Sequence, residues 1–311
     1  MRVSSGVVRA GQIALAIALM AALWQLAGGQ DAARALASAD PLWLGAAVTA
    51  LTTQTVLSAL RWRLTAAQLG IALSRRDALR EYYLSQAVNL SLPGGVIGDA
   101  GRAVRSRGGA GLLAASQAVV LERLAGQAGL FAVTVTTFAV TLARPGGVDW
   151  PAWLIGPVAL FALAGLCLPG AVFLLTRMPG HLGQAVAGFV HAARVSLVAR
   201  GVIGPQIGLS LGTTLCNLAA FAFCAQAVGH GLSPVAVAAF VPLILLTMLV
   251  PLTISGWGLR EGAAAVLFPL AGSTASGGLA TSVAFGLMML VAALPGSAVL
   301  LVQRRGPVGV P

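Results

Sequence analysis

Lysine is absent from this chain of 311 residues, so that all 19 basic residues are arginine. Acidic residues are scarce as well: there are eight, and charged residues make up 9% of the chain, against about 25% in an ordinary soluble protein. The missing lysine excludes Schiff-base and lysine-nucleophile chemistry. The low charge, together with 58% hydrophobic residues, excludes a soluble globular protein of this length.

Cysteine and histidine are also rare, with three of each. Cys216 and Cys224 lie about two turns apart on one predicted helix, which is too far along its axis for a disulfide. The histidines, His181, His191 and His230, lie in predicted loops and lack the spacing of metal ligands. We therefore expect no metal site and no cofactor.

Apolar runs of about twenty residues recur along the whole chain, and this pattern is typical of membrane-spanning helices. The runs do not alternate apolar with polar residues, as the strands of a membrane barrel do. We predict an all-α, polytopic bundle of about seven or eight spans, in which residues 1–311 form one integral membrane domain. The first run, about residues 10–27, is longer than the apolar region of a usual signal peptide, so we expect it to be retained as a span.

Arginines are concentrated in a few loops, and the positive-inside rule places such loops in the cytoplasm. The segment 61–107 contains eight of them. A second predicted span, residues 41–60, ends at Arg61-Trp62-Arg63, which is interpreted as an aromatic and cationic anchor at the membrane interface. Tyr82 and Tyr83 are interpreted as interfacial anchors as well.

Two segments do not fit a simple span. Residues 84–98 are apolar enough to enter the bilayer part way, which predicts a re-entrant hairpin. Residues 262–270 are too short for an ordinary span, and they either cross as half of a broken pair or dip in and return. Arg304 and Arg305 follow the last apolar run and favour a crossing, with both termini in the cytoplasm.

Two short motifs, one in each half of the chain, carry charge where the chain otherwise avoids it. Each has a proline, a glycine five residues later and an arginine nine residues after the proline. The first contains Pro93, Gly94, Gly95, Gly98, Asp99 and Arg102, and the second contains Pro251, Gly256, Gly258, Arg260 and Glu261. Helix breaks beside buried charge mark substrate paths in transporters, and their occurrence in both halves is consistent with an inverted repeat.

Three carboxylates lie in or beside apolar runs, and each has an arginine close by in sequence: Asp99 with Arg102, Glu122 with Arg123, and Glu261 with Arg260. A charge at the bilayer centre costs about 2.5–3.5 kcal/mol on insertion scales, so each of these groups needs a partner or water. Residues three apart share a helix face, whereas adjacent residues point in different directions. We therefore predict a cross-paired cluster, for example with Glu122 or Glu261 bound to Arg102.

Such a cluster has two interpretations. Buried ion pairs can fix the arrangement of helices, or they can line a polar cavity that handles a charged group. Arginine suits phosphate because its fork makes paired hydrogen bonds, and backbone N–H groups in glycine-rich breaks also bind anions. Three pairs, two of them beside helix breaks, favour the cavity.

Three ordered motifs extend over most of the chain: Asn89-x-x-x-Pro93-Gly94-Gly95-x-x-Gly98-Asp99-x-x-Arg102, Glu122-Arg123, and Gly256-x-Gly258-x-Arg260-Glu261. They resemble the signature of the lysylphosphatidylglycerol synthase transmembrane region, and the resemblance covers nearly the whole chain. It implies an eight-span-type bundle with re-entrant helices that moves lipids between leaflets. In the multiple peptide resistance factor this domain carries aminoacylated phosphatidylglycerol. The soluble aminoacyl-transferase domain of that protein has no counterpart here, so we expect no synthase activity.

The residues and the resemblance together predict a lipid flippase or transporter of the bacterial inner membrane. Arg102, Arg123 and Arg260 would hold a headgroup phosphate. The carboxylates Asp99, Glu122 and Glu261 would orient these arginines or pair with a cationic headgroup, and Asn89 would line the cavity. The candidate lipids are an anionic or aminoacylated phospholipid, a glycolipid or a hopanoid.

Two other functions remain open: a membrane-embedded lipid-phosphate transferase, and a non-catalytic partner of a lipid-modifying enzyme. The motifs offer no histidine or lysine as nucleophile or base, which disfavours the transferase. A homodimer or an enzyme partner is an alternative assembly, and no nucleic acid is expected.

Overall fold

The computed structural model of the protein describes residues 5–91, 96–143, 148–250 and 252–305, and these ranges contain no strand. Pro93, Gly94, Gly95 and Pro251 of the two motifs lie outside the described residues. The helices are α1 Ser5–Leu26, α2 Gly29–Ala37, α3 Pro41–Gln68, α4 Arg75–Ser91, α5 Ile97–Ser106, α6 Gly111–Ala143, α7 Ala152–Thr176, α8 His181–Ala193, α9 Ile203–Ala227, α10 Pro234–Leu246, α11 Leu259–Leu267 and α12 Ala275–Arg305.

Capping residues in the sequence fix the start of two of these helices. Asp40 precedes α3 and accepts a hydrogen bond from the Leu42 N–H at 2.8 Å, and Pro41 occupies the first helical position. Ser233 does the same for α10 by accepting from the Ala236 N–H. A short polar side chain followed by proline satisfies the unpaired N–H groups of a first turn, so both helices begin where this pattern occurs.

Five helices are long and apolar enough to cross a membrane: α3, α6, α7, α9 and α12. The pair α1 and α2, bent by 94°, would be a sixth span, and α10 is apolar but shorter. The prediction of an all-α membrane bundle is confirmed. The number of crossings, seven or eight, stays a prediction, because length and composition alone do not assign the short helices.

The second predicted span is longer than expected. Helix α3 continues to Gln68, eight residues beyond the boundary set at residue 60. Arg61 and Trp62 therefore lie inside the helix and are buried, and their interpretation as interfacial anchors is wrong. The helix continues because both side chains find partners within the protein and do not have to reach the membrane surface.

Helices α4 and α5 form the hairpin expected around residues 84–98. They pack closely at Gly98, where a Cβ atom would lie 2.1 Å from the Ser85 carbonyl oxygen. The Gly98 N–H also donates to Asn89 Oδ1 at 2.8 Å, which ties the two helices together across the turn. Only glycine permits this approach, so the first motif specifies the hairpin. Its entry into the bilayer stays a prediction.

The second motif interrupts the helical structure between α10 and α11. Ser255 has a φ of 49°, and Gly256 and Gly258 have φ values of 77° and 89°. Glycine adopts this left-handed region without steric cost. Helix α11 starts directly after Gly258 and packs against α1, where a Cβ atom on Gly258 would come within 2.8 Å of Leu19. The glycines of this motif therefore set both the turn and the packing of the first helix.

Candidate functional site

A cavity of about 320 Å³ lies inside the bundle, bounded by residues of α3, α4, α5, α6, α9, α10 and α12. Part of its lining is apolar, including Leu51, Leu130, Leu245, Met248, Phe285 and Met289. The polar lining residues include Gln54, Ser58, Arg61, Tyr82, Ser85, Gln86, Asn89, Asp99, Glu122, Arg123, Gln127, Thr213, Thr214, Asn217 and Ser255. A cavity with polar lining residues among membrane-type helices can accept a charged or hydroxylated group that the bilayer excludes.

Glu122 of α6 is the centre of the charged groups at this cavity. Its side chain is fully buried, and it accepts hydrogen bonds from Arg61 at 2.8 Å and Tyr82 at 3.3 Å through Oε1. Oε2 accepts from Arg102 Nη2 at 3.3 Å. Both oxygens are therefore paired with arginine, which is what a buried carboxylate requires.

Arg102 of α5 is held by two rings and two carboxylates. Its guanidinium lies 4.5 Å from the ring centroids of both Trp62 and Tyr82. It also pairs with Asp99 at 3.1 Å in addition to Glu122. The side chain is 1% exposed and does not line the cavity. Cation–π contacts in a buried setting add to the ion pairs, and Arg102 holds α3, α4, α5 and α6 together.

Asp99 connects this buried arginine to the cavity. Its Oδ1 accepts from Ser85 at 2.7 Å and from Arg102, and its Oδ2 pairs with Arg123. The Arg123 side chain is 45% exposed, in contrast to Arg61 and Arg102. Arg123 is thus the cation of this group that is most open to a ligand entering the cavity.

We call Arg61, Asp99, Arg102, Glu122 and Arg123 the Glu122 cluster. It holds three arginines and two carboxylates, so its formal charge is 3 − 2 = +1. Tyr82 adds no charge: burial, reinforced by the Glu122 carboxylate, raises the pKa of its phenol to about 12. Helix α4, which carries Tyr82, is not among the helices long and apolar enough to span a membrane. The cluster therefore presents a net positive charge to the cavity.

Arg260 and Glu261 form a separate pair at the start of α11. Arg260 Nη2 lies 2.5 Å from Glu261 Oε1, and Ser282 of α12 contacts both side chains at 2.9 and 3.0 Å. The expectation that these adjacent residues point apart is wrong. Glu261 turns back to accept the Gly258 N–H at 2.7 Å, and this brings its second oxygen to Arg260.

The Arg260–Glu261 pair lies one side-chain layer behind the cavity. Arg260 Nη1 contacts the sulfur atoms of Met248 and Met289 at 4.0 and 3.8 Å, and both methionines line the cavity. The two motifs meet at a hydrogen bond of 3.1 Å from Ser255 Oγ to the Asn89 carbonyl oxygen. Among the described side chains, no ion pair joins the two groups of charges. The predicted contact of Arg102 with Glu122 is confirmed, whereas Arg102, Arg260 and Glu261 do not reach the cavity in this structure.

Several site residues were missed in the sequence, above all Arg61. It donates to Thr213 of α9 at 2.8 Å as well as to Glu122. A signal was present: together with position 61, the polar residues Thr55, Ser58 and Thr65 recur at steps of three or four residues along α3, which is the spacing of one helix face. All three are fully buried in the structure. This polar stripe runs through position 61 and would have extended the helix past it.

Comparison with family models matches residues 11–296 to the lysylphosphatidylglycerol synthase TM region. No curated protein matches the chain closely enough to be compared with it. The matched range includes both motifs and all members of the Glu122 cluster. The chain therefore belongs to the lysylphosphatidylglycerol synthase transmembrane region family.

Proposed function

We propose that this protein moves a polar-headed lipid between the two leaflets of a membrane. The headgroup enters the cavity, and the acyl chains stay in the bilayer. The observation that supports this most strongly is the Glu122 cluster, a positively charged group of side chains at a polar cavity within apolar helices. Burying these charges is costly, and a ligand phosphate would use the charge that remains uncompensated.

The size of the cavity agrees with a headgroup. Small-ligand sites measure about 300–1,000 Å³, and the cavity here, at about 320 Å³, lies at the lower end of this range. Such a volume accommodates a headgroup but not a whole phospholipid, whose chains would remain outside. The mixed lining also suits the boundary between a phosphate and the first carbons of a glycerol.

The residues of the cavity have different roles in this proposal. Arg123, which is partly exposed, contacts the phosphate, and Arg61 supplies a second positive charge from the wall. Asp99 and Glu122 orient these arginines, and Arg102 fixes the carboxylates from behind. The Arg260–Glu261 pair stabilises the break before α11, where Met248 and Met289, with their flexible side chains, close that wall of the cavity.

The proposal is tested by leaflet exchange of a fluorescent phospholipid in vesicles that contain the purified protein. We expect Arg123→Gln to slow exchange by about tenfold or more, since a hydrogen bond to a charged group contributes roughly 1.5–3 kcal/mol. The matched control is Arg105→Gln. Arg105 is 39% exposed and pairs with Glu81 on the same hairpin, but it does not line the cavity.

The same vesicles separate the other functions. Equal exchange by Arg123→Gln and the unaltered protein would contradict the assigned role of the cavity. Chemical modification of the lipid without exchange would indicate a transferase, and neither exchange nor modification would indicate a partner subunit.

A further inference from the structure

We infer that the cavity selects a lipid whose headgroup is net anionic, with the charge on a phosphate, and disfavours a cationic aminoacylated headgroup. This inference rests on the proposed lipid-handling function and specifies its substrate class. It follows from which charged groups at the cavity are already paired and which retain room for a ligand.

The carboxylates are already paired with arginines of the protein. Among the described lining residues, Asp99 and Glu122 are the two carboxylates. Each of the four oxygen atoms has an arginine partner: Glu122 is bound by Arg61 and Arg102, and Asp99 by Arg102 and Arg123. A cationic group in the cavity would have to displace one of these arginines to obtain a carboxylate. The displaced arginine would then be buried without a counter-charge, which is strongly unfavourable.

The arginines, in contrast, retain capacity for an anion. Arg123 pairs with Asp99 but leaves 45% of its side chain exposed. Arg61 lines the cavity but is only 5% exposed, so it contributes positive charge from the wall. A phosphate oxygen would bind the exposed part of the Arg123 guanidinium, because guanidinium groups bind phosphate through paired N–H groups.

The charge balance also favours an anionic headgroup. The Glu122 cluster has a formal charge of +1, and a phosphodiester of charge −1 would neutralise it. A lysyl ester adds two amino groups that can each carry a positive charge, so a lysylated phosphatidylglycerol would leave an excess of positive charge in the cavity. Like charges repel one another at such short range.

Neutral polar side chains explain how the rest of the headgroup is accommodated. The lining amides include Gln54, Gln86, Asn89, Gln127 and Asn217, and the buried Oε1 of Gln127 has no hydrogen-bond partner within the described ranges. Amides both donate to and accept from hydroxyl groups. They suit the hydroxyls of a glycerol headgroup without requiring a further charge.

The test compares lipid retention and exchange for phosphatidylglycerol and lysyl-phosphatidylglycerol, each added to phosphatidylcholine vesicles. Retention is measured by native mass spectrometry of the purified full chain, and exchange by a fluorescent derivative of each lipid. We expect phosphatidylglycerol to be preferred by about tenfold or more in both measurements, a ratio that corresponds to about 1.4 kcal/mol. Equal retention, or preference for the lysylated lipid, would overturn the inference.

Charge-reversal variants make the test specific to the cavity. Arg123→Glu places an additional carboxylate at the exposed position, and we expect it to abolish or reverse the preference. Arg105→Glu, at a position that does not line the cavity, should leave the preference intact. If Arg123→Glu does not fold, Arg123→Gln provides the same comparison with a smaller expected loss. An unchanged preference in folded Arg123 variants would show that another surface selects the lipid.

Two further outcomes separate this inference from the proposed function. Selective retention of phosphatidylglycerol without any leaflet exchange would support the anionic site and refute lipid movement. Displacement of bound phosphatidylglycerol by free glycerol 3-phosphate at equimolar concentration would assign the site to a soluble phosphate and overturn the lipid assignment.

Discussion

Arg102 and Arg123 show that arginines close together in this chain serve different purposes. Arg102 is buried between two rings and two carboxylates, whereas Arg123 is partly open to the cavity. The sequence predicts that both hold a phosphate. Burial separates their roles, because a fully enclosed guanidinium stabilises its surroundings and only an accessible one can bind a ligand.

Truncation of Arg102 should therefore destabilise the protein. Arg102→Ala removes the ion pairs to Asp99 and Glu122 and the contacts with Trp62 and Tyr82. We expect a loss of about 3–5 kcal/mol in the free energy of unfolding, which is typical when one partner of a buried ion pair is removed. Unfolding in mixed micelles with increasing denaturing detergent measures this loss.

Arg123→Ala is the comparison for this measurement. Its side chain is partly exposed, so we expect a loss well below that of Arg102→Ala. Equal destabilisation by both variants would show that the two arginines have the same structural role, contrary to their burial.

The sequence revealed some of these contacts but not others. Asp99 and Arg102 are three residues apart on one helix, which predicts their contact. Because a buried charge must be compensated, the sequence also predicts a contact between Arg102 and Glu122. Arg61 escaped because an arginine after an apolar run is usually a sign of the membrane surface. Only the fold brings it beside Glu122, a residue 61 positions further along the chain.

At the level of secondary structure, two short helices that follow helix breaks carry charged residues of the two motifs. Helix α5 carries Asp99 and Arg102, and α11 carries Arg260 and Glu261. Each break relies on glycine, by close approach at Gly98 and by positive φ angles in the second motif. The sequence predicted both breaks, since glycine and charge together are rare in apolar helices. The lengths of α3, α10 and α11 were harder to predict, because side-chain contacts decide where these helices end.

Substitution of Gly98 tests the first of these elements. In Gly98→Ala the new methyl group would meet the Ser85 carbonyl oxygen at 2.1 Å, so α4 and α5 must separate. We expect this to move Asp99 away from Ser85 and Arg123 and to reduce lipid exchange at least about tenfold, as the loss of one charged hydrogen bond would. The measurement is the vesicle exchange assay together with a thermal unfolding curve.

Gly109→Ala is the matched control, since a Cβ atom on Gly109, just after α5, meets nothing within 4 Å. It should exchange lipid normally. Normal exchange by Gly98→Ala as well would mean that the tight contact of the hairpin is not needed to hold the cavity.

For the molecule as a whole, helix contacts define two ends. Gln206 of α9 donates to Thr65 of α3 at 2.8 Å, whereas the Asp40 N–H donates to the Ala227 carbonyl oxygen at 2.9 Å. Helices α3 and α9 are therefore antiparallel. The end of α3 near Thr65 leads into α4, which begins at Arg75. Gln206 also donates to the carbonyl oxygen of Ser196, which lies two residues after Arg194. Arg75, Arg76 and Arg194 thus lie toward one end of the bundle.

Asp149 lies at the opposite end. It borders a small surface depression together with Ser233, which follows Ala227 by six residues. The Glu122 cluster is closer to the arginine-rich end, because Arg61 is seven residues, or about two turns, before the end of α3. If that end faces the cytoplasm, the proposed phosphate site lies nearer the cytoplasmic leaflet than the outer one.

The distribution of charge over the two ends predicts an orientation that can be measured by labelling. The positive-inside rule assigns the end with Arg75, Arg76 and Arg194 to the cytoplasm. In a variant whose three native cysteines are replaced by serine, we expect Arg75→Cys and Arg194→Cys to react with an impermeant maleimide only after the membrane is opened. Asp149→Cys should react in intact cells, because it is exposed at the other end. Reaction of all three positions from one side would contradict the two-ended arrangement. If Arg75→Cys and Arg194→Cys instead reacted in intact cells and Asp149→Cys only in opened membranes, the arrangement would stand and its orientation would be reversed. In that case the proposed phosphate site would lie nearer the outer leaflet.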